Sequence, residues 1–337
     1  MTVAVDTRQG ARGVQRDAVA LWTTGPGTAQ LRTERLDAPA DGDVLVRTLW
    51  SGVSRGTETL VARGAVPPSE HERMRAPFQA GDFPFPVKYG YLSVGVVESG
   101  PSLGQPVFAL HPHQSRFVVP ADAVAPVPAA VPPRRAVLAG AAETAVNVLW
   151  DARPQLGDRI AIVGAGMIGC AIALLARRIP GVEVTLIDVD AAKAALAAAL
   201  GVGFAAASDP RPDPDVVIEA SGDGSGLQVA LRLAPTDGEV VVAGWYGADA
   251  VPLALGADFH SRRLTIRASQ VGAVAASRRA RRTTRDRLAF ALRLLEDPAF
   301  DLLLGGTSPF TRLPDVVAEL AAGTADPLCH TIDWSAA

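Results

Sequence analysis

Six consecutive residues, Gly164-Ala165-Gly166-Met167-Ile168-Gly169, carry the most specific chemical signal in this chain of 337 residues. The spacing GxGxxG suits a diphosphate when a buried strand leads into it and a helix opens from it. Both conditions hold in the sequence. IAIVG (160–164) is an unbroken apolar run, and MIGCAIALLARR (167–178) places Ile168, Ile172 and Leu175 on one helical face. Gly164 then permits the tight turn, Gly166 lets backbone approach the diphosphate, and Gly169 lets helix and strand pack closely. The free N–H groups of the first helical turn, Met167 and Ile168 among them, complete an anion site. A second strand, VTLID, ends in Asp188, about 20 residues beyond Gly169. A carboxylate there accepts hydrogen bonds from the adenine ribose hydroxyls and repels a 2′-phosphate, which favours NAD(H) over NADP(H). The competing readings are a glycine turn in a cofactor-free α/β unit and, for Asp188, a carboxylate at a helix N-terminus.

Two further strands end in glycine-containing segments, EASG (219–222) and AGWYG (243–247). Strand carboxyl ends face the ligand crevice in such sheets. Ser221, Gly244 and Trp245 are therefore candidate cofactor neighbours, against the alternative of ordinary strand-ending turns. RRARRTTRDR (278–287) holds six arginines in ten positions. It has no interleaved aromatic residues, so a solvated loop and helix face is favoured over nucleic-acid binding. The formal net charge of −3 likewise argues against a polyanion-binding protein. Cys170 and Cys329 have no partners at metal-site spacing, which fits a reducing compartment.

The elements that must position these residues fall into two textures. From residue 18 to about 130 the chain alternates short β-rich runs, AVALW, AQLRTERL, DVLVRTLWSG, YLSVGVVESG, GQPVFALHP and RFVVP, with turn sequences. This predicts a small, mostly antiparallel barrel or sandwich. Beyond VPPRR, strands alternate with helices. DAAKAALAAALG is read as a helix with Asp190 as N-cap and Gly201 just past its end, and DVVIEASG, EVVVAGW and LTIRAS as further strands. That rhythm means a parallel, doubly wound sheet. In the tail, RDRLAFALRLLED and LPDVVAELAAG are amphipathic helices and LCHTIDW a short strand. Too short for its own core, the tail is expected to return to the first half. The predicted organisation is therefore a discontinuous unit of residues 1–132 and 277–337 and a Rossmann unit of residues 133–276. PRPDPD (210–215) is a loop. The opening MTVAVDTRQGARGVQRD lacks the apolar core and cleavage site of a signal peptide and is read as a flexible arm. No apolar run reaches the ~18 residues of a membrane span, so cytoplasm is the expected location.

A β-rich first half, a Rossmann unit and a returning tail together resemble the medium-chain dehydrogenase/reductase family, whose first domain is GroES-like. SGVSRGTE (51–58), ALHPHQSRFVVP (109–120), AAETAVNVLWDA (141–152) and HSRRLTIRASQVG (260–272) are similar to the subgroup that contains bacteriochlorophyllide a dehydrogenase. The resemblance implies an α/β fold, a GroES-like catalytic domain joined to a doubly wound Rossmann sheet. It also implies a nicotinamide cofactor, a small-molecule substrate and a homodimer formed at the Rossmann sheet edge. The family's zinc ligands are not matched. Arg55 stands at the cysteine of the family's Cys-Gly-Thr-Asp segment, Tyr91 at the histidine of its Gly-His-Glu segment, and the second ligand cysteine falls near Gly140. Zinc needs three or four deprotonated ligands at short range. The resemblance therefore predicts a zinc-free member, with Glu58, Glu143 and His113 as the only route to a different metal site.

Hydride exchange with a carbonyl needs a group to stabilise the developing alkoxide and a group to move a proton. With zinc absent, Arg55, with Lys88, is expected to steady an oxyanion or grip an acidic substrate group, unless it pairs with Glu58. Thr57 matches the hydroxyl residue that touches the substrate alcohol in zinc-type relatives. Tyr91 is a candidate proton donor and His113 a candidate relay or base, against packed-aromatic and backbone-capped readings for Tyr91 and for His111 and His113. Lys88 has the alternative of a solvated strand residue. By resemblance Thr144 contacts the nicotinamide ring, and Asn147 lies beside the cofactor. Glu143 is either a helix-end carboxylate or a site acid. The expected reaction is hydride transfer between NAD(H) and a secondary alcohol/ketone pair. The alternatives are NAD(P)H-dependent reduction of an activated C=C bond, and a lyase, cyclase or nucleotide-binding protein on the same fold.

Overall fold

The computed structural model describes residues 17–337 apart from 211–212 and 326–327. The expected N-terminal arm therefore lies outside the described residues except for Asp17, and so does part of the PRPDPD loop.

The run IAIVG becomes the strand Arg159–Val163 at the middle of a six-stranded parallel sheet. Across that sheet the strands run Gly203–Ala206, Glu183–Asp188, Arg159–Val163, Val216–Glu219, Glu239–Val242 and Thr265–Ala268. Strand side chains alternate between faces, and here both faces are covered. Ile160 and Ile162 pack on one side with residues of the helices Met167–Ala176 and Ala139–Ala152. Ala161 and Val163 pack on the other with Leu227, Ala230 and Leu231 of the helix Gly224–Leu233. Burying each such Leu or Ile side chain contributes about 1.5–3 kcal/mol. The strand order turns outward in both directions from Arg159–Val163 and Val216–Glu219, so the crevice opens above their carboxyl ends.

The β-rich half forms a seven-stranded sheet and a four-stranded sheet. Asp43–Val53 is its central strand, pairing antiparallel with Ser93–Ser99, Arg116–Pro120 and Cys329–Asp333. The tail thus returns to the first half, and Trp334 is buried with Leu21, Val53 and Leu320. The helix Thr284–Leu294 instead lies against Ala139–Ala152, with Ala291 and Leu292 in the core that spans both halves.

Two local expectations change. The stretch after Ser54, included in the β-rich region, is the helix Arg55–Arg63. Its signals are Glu58 in the first turn, Arg63 in the last, and Gly64 closing it at φ 69°. The helix expected to be capped by Asp190 runs Lys193–Ala199, with Ala192 at the N-cap. Asp190 accepts from the Ala192 N–H and so caps the preceding turn instead.

Candidate functional site

At the carboxyl end of Arg159–Val163 the chain turns at Gly164, whose φ is +104°. A β-carbon there would lie 2.6 Å from the Ser221 nitrogen, so the crevice floor admits glycine alone. At Gly169 a β-carbon would sit 1.9 Å from the Gly164 carbonyl oxygen, which is the close helix–turn contact expected of it. Gly166 is the N-cap of Met167–Ala176, and the first helical turn directs its N–H groups into the crevice mouth. Asp188, at the end of the neighbouring strand, accepts from the Ala165 N–H at 2.7 Å and from the Asp190 N–H at 2.9 Å. Each carboxylate oxygen keeps a lone pair for a diol.

Glu219, not singled out in the sequence, is fully buried at the carboxyl end of Val216–Glu219. One of its oxygens accepts from the Ser221 N–H, the Ser221 hydroxyl and the Gly222 N–H, and the other accepts from the Tyr246 hydroxyl at 2.7 Å. It therefore shapes the two segments that carry Ser221 and Gly244. A β-carbon on Gly244 would come within 2.8 Å of it. The signal for it was present, since an acidic residue closing an apolar strand must find donors when buried. Trp245 reaches the other half and packs against the buried cluster of Val61, Phe83 and Tyr89. There the Ala248 N–H donates to the Ala65 carbonyl.

In the β-rich half, four separated segments converge, residues 51–58, 90–91, 113 and 334. His113, 1% exposed, lies between the Ser51 hydroxyl, 2.8 Å from Nδ1, and the Glu58 carboxylate, 3.0 Å from Nε2. Trp334 Nε1 donates to the same Ser51 hydroxyl, and the Ser54 N–H donates to Glu58. With Ser51 Oγ accepting from Trp334, its proton points to His113 Nδ1 when the imidazole is neutral, and Nε2–H then donates to Glu58. Gly90, at φ +125°, gives the ring room, because a β-carbon there would be 2.8 Å from His113 Cδ2. Ser54, Thr57 and Glu58 lie close enough to the Tyr91 hydroxyl to act on its proton. Burial, reinforced by the charge of Glu58, holds Tyr91 far above the usual phenol range. Its proton is thus retained at neutral pH.

Thr57, Glu58, Tyr91 and His113 are brought together, and Ser51, Ser54 and Trp334 join them. Arg55 opens the helix beside them; it is exposed and has no ion pair among the described residues, so the expected alternative of pairing with Glu58 does not occur. Lys88 is a correction. Its ammonium donates to Glu34 at 2.7 Å and Gln114 at 2.9 Å and lies over the Trp22 ring, so two of its three donors are committed outside the cluster. Asn147 is a second correction, because its amide is already engaged by Arg287, the Ala275 N–H and Ser269. Glu143 pairs with Arg287 and is a structural carboxylate. The Thr144 hydroxyl donates to the Gly140 carbonyl one helical turn back. His111 stacks on Phe117 at 3.9 Å, its Nδ1 lies 3.0 Å from the Pro112 carbonyl, and burial lowers it to about 3.

No known family profile matches the chain. Over 85 residues it is 36% identical to 2-desacetyl-2-hydroxyethyl bacteriochlorophyllide A dehydrogenase of Cereibacter sphaeroides, a match that takes in 24% of this chain and 22% of that enzyme. Among solved structures, L-idonate 5-dehydrogenase of Escherichia coli superposes with a TM-score of 0.76 at 17% identity, covering 94% of this chain and 98% of that one. Acetophenone reductase of Geotrichum candidum, solved with NAD, superposes with a TM-score of 0.76 at 18% identity, covering 96% and 99%. The fold is accordingly that of the medium-chain dehydrogenases, a GroES-like β-rich half joined to a Rossmann half. No helix among the described residues is long and apolar enough to cross a membrane.

Proposed function

We propose that this chain is an NAD(H)-dependent dehydrogenase that exchanges a hydride with a secondary alcohol or ketone and works without zinc. The observation that carries the reading is the pairing of a glycine turn suited to a diphosphate with a cluster in which half-buried Tyr91 and Thr57 stand in front of buried Glu58 and His113, on the same two-part fold. The turn fits the dinucleotide: side chains at residues 164 and 169 would strike the backbone of Ser221 and Gly164 and push the turn out of shape, and Asp188 stands where ribose hydroxyls need an acceptor. Gly164, Gly166, Met167, Ile168 and Gly169 would hold the diphosphate, Asp188 the adenosine ribose, and Ser221, Gly244, Trp245 and Thr144 would line the crevice. When bound, the nicotinamide supplies or accepts the hydride.

The residues present do not fit the zinc site of zinc-type relatives. Arg55 and Tyr91 stand at two ligand positions, and a β-carbon at Gly140 would meet Leu92 Cδ2 at 2.5 Å. Among the described residues no three His, Cys, Asp or Glu side chains gather as a metal site. The chain's own groups take over the oxygen. Tyr91 donates its retained proton to the alkoxide as the hydride arrives, the Thr57 hydroxyl donates to the tyrosinate oxygen left behind, and solvent restores the tyrosine proton once product leaves, with the Glu58–His113 pair fixing the surroundings. Arg55, exposed and unpaired at the cluster's edge, steers or grips an anionic substrate group.

The reading extends to residues 1–132 with 277–337 as the catalytic domain and 133–276 as the cofactor domain. It also extends to a cytoplasmic homodimer. The strand Thr265–Ala268 supports the dimer, being mostly exposed and paired on one side only among the described residues. The test is a titration of pure protein with NADH and NADPH, followed by turnover of secondary alcohols, ketones and enones with metal analysis. Tighter NADH binding and chelator-resistant alcohol oxidation are expected. Failure to bind either dinucleotide, a stoichiometric zinc essential for activity, or turnover of enones alone would reject the reading.

A further inference from the structure

Six arginines crowd residues 278–287, and five of them are exposed. The sixth, Arg287, is 1% exposed. Burying a guanidinium is costly unless its donors are met by well-placed acceptors. Here they are met from two directions. Nε donates to Glu143 at 3.1 Å and one terminal nitrogen to Asn147 Oδ1 at 2.5 Å, both on the helix Ala139–Ala152. The terminal nitrogens also donate to the carbonyls of Ala273, at 3.2 Å, and Val271. Those two carbonyls belong to residues 269–275, which leave the carboxyl end of the last parallel strand with no regular structure of their own. Further ties run to the same helix: the Ala275 N–H donates to Asn147 Oδ1, and the Ser269 hydroxyl to Asp151.

The sheet order says what this segment flanks. Asp188 ends a strand on one side of the Gly164 turn, while Glu239–Val242 and Thr265–Ala268 lie on the other. A dinucleotide whose diphosphate sits at that turn and whose adenosine ribose meets Asp188 extends its other half toward residues 243–247 and 269–275. We infer that Arg287 is a positioning residue: its clamp to Glu143, Asn147 and the Val271 and Ala273 carbonyls holds residues 269–275 against the nicotinamide end of the crevice. The inference rests on the cofactor reading above. An isolated loop of this length samples many backbone states, and holding it in one of them costs conformational entropy. A planar guanidinium that binds two carbonyls and two side chains in a fixed fork supplies that order, and a lysine does not.

The experiment compares NADH with ADP-ribose, which shares the diphosphate and both ribose contacts but lacks the nicotinamide ring. Dissociation constants are measured for wild type, Arg287→Lys, Arg287→Met, Glu143→Gln and Asp188→Ala. A positioning role predicts that Arg287→Lys weakens NADH binding on the order of tenfold and leaves ADP-ribose binding within about twofold of wild type. Glu143→Gln should follow in the same direction with a smaller change. If Arg287→Met does not fold, the Lys and Gln variants carry the comparison. Unchanged NADH binding, or an equal loss for both ligands, would overturn the inference. Wild-type protein that binds neither ligand would instead overturn the cofactor reading, and Asp188→Ala, expected to weaken both ligands, shows that the assay registers a crevice defect.

Discussion

In the parallel sheet, Asp188 and Glu219 bind backbone N–H groups of nearby turns, at Ala165, Asp190, Ser221 and Gly222. In the antiparallel half, Glu58 and His113 bind each other across 55 residues of chain, and Ser51 meets Trp334 across 283. The first region presents backbone, with carboxylates holding turns in shape. The second presents side chains, delivered by a helix, three strands or their ends and the returning tail. Backbone recognition suits a ligand common to many enzymes, while a side-chain cluster sets which oxygen is protonated and in what surroundings. The two regions should therefore fail separately when altered.

The sharpest separation is expected from Tyr91→Phe, which removes the retained proton while keeping the ring packed against Tyr89. Turnover should fall by roughly 10²–10⁴ with NADH affinity unchanged. A parallel loss of NADH binding would mean the regions are not independent. Asp188→Ala tests the other side. NADH affinity should fall by about tenfold, the equivalent of roughly 1.4 kcal/mol, and the gap to NADPH should narrow. Equal affinities in wild type and variant would remove Asp188 from cofactor selection.

Stability against pH distinguishes the halves as well. Burial lowers His111 to about 3, so below the unfolded value of about 6.5 the unfolded chain takes up a proton that the folded chain refuses. Its contribution is complete above that value and is lost as pH falls toward 3, by about 1.4 kcal/mol per unit. Denaturant midpoints should follow that slope from pH 6.5 downward, and His111→Phe should flatten it. An unaltered slope would place the acid sensitivity elsewhere. The smallest effect is expected from Lys88→Met, which breaks the pair with Glu34 outside the cluster. A stability change near 1 kcal/mol with unchanged turnover would fit, and a large turnover loss would return Lys88 to the site.

The contrast also explains what was legible. The glycine turn, Asp188, the parallel strands and the tail helices were readable, because each depends on residues a few positions apart: apolar period, turn glycine, capping chemistry. The helix Arg55–Arg63 carried local signals too, an acidic first turn and a closing Gly64, but the surrounding β texture masked them. Glu219 inside EASG had a local signal, an acidic residue closing an apolar strand, but its partner Tyr246, 27 residues on, is supplied only by the folded sheet.

What the amino-acid order determined by itself was the parallel-sheet half with its glycine turn, whose parts lie next to one another along the chain and obey short-range sterics and hydrogen bonding. What only the tertiary structure decided was pairing: that His113 belongs with Glu58 and Ser51, that Lys88 belongs to Glu34, and that Asn147 and Glu143 belong to Arg287. Those choices depend on which buried donor meets which buried acceptor after the sheets have packed, and that matching, costly to leave incomplete, is not written in the spacing of residues.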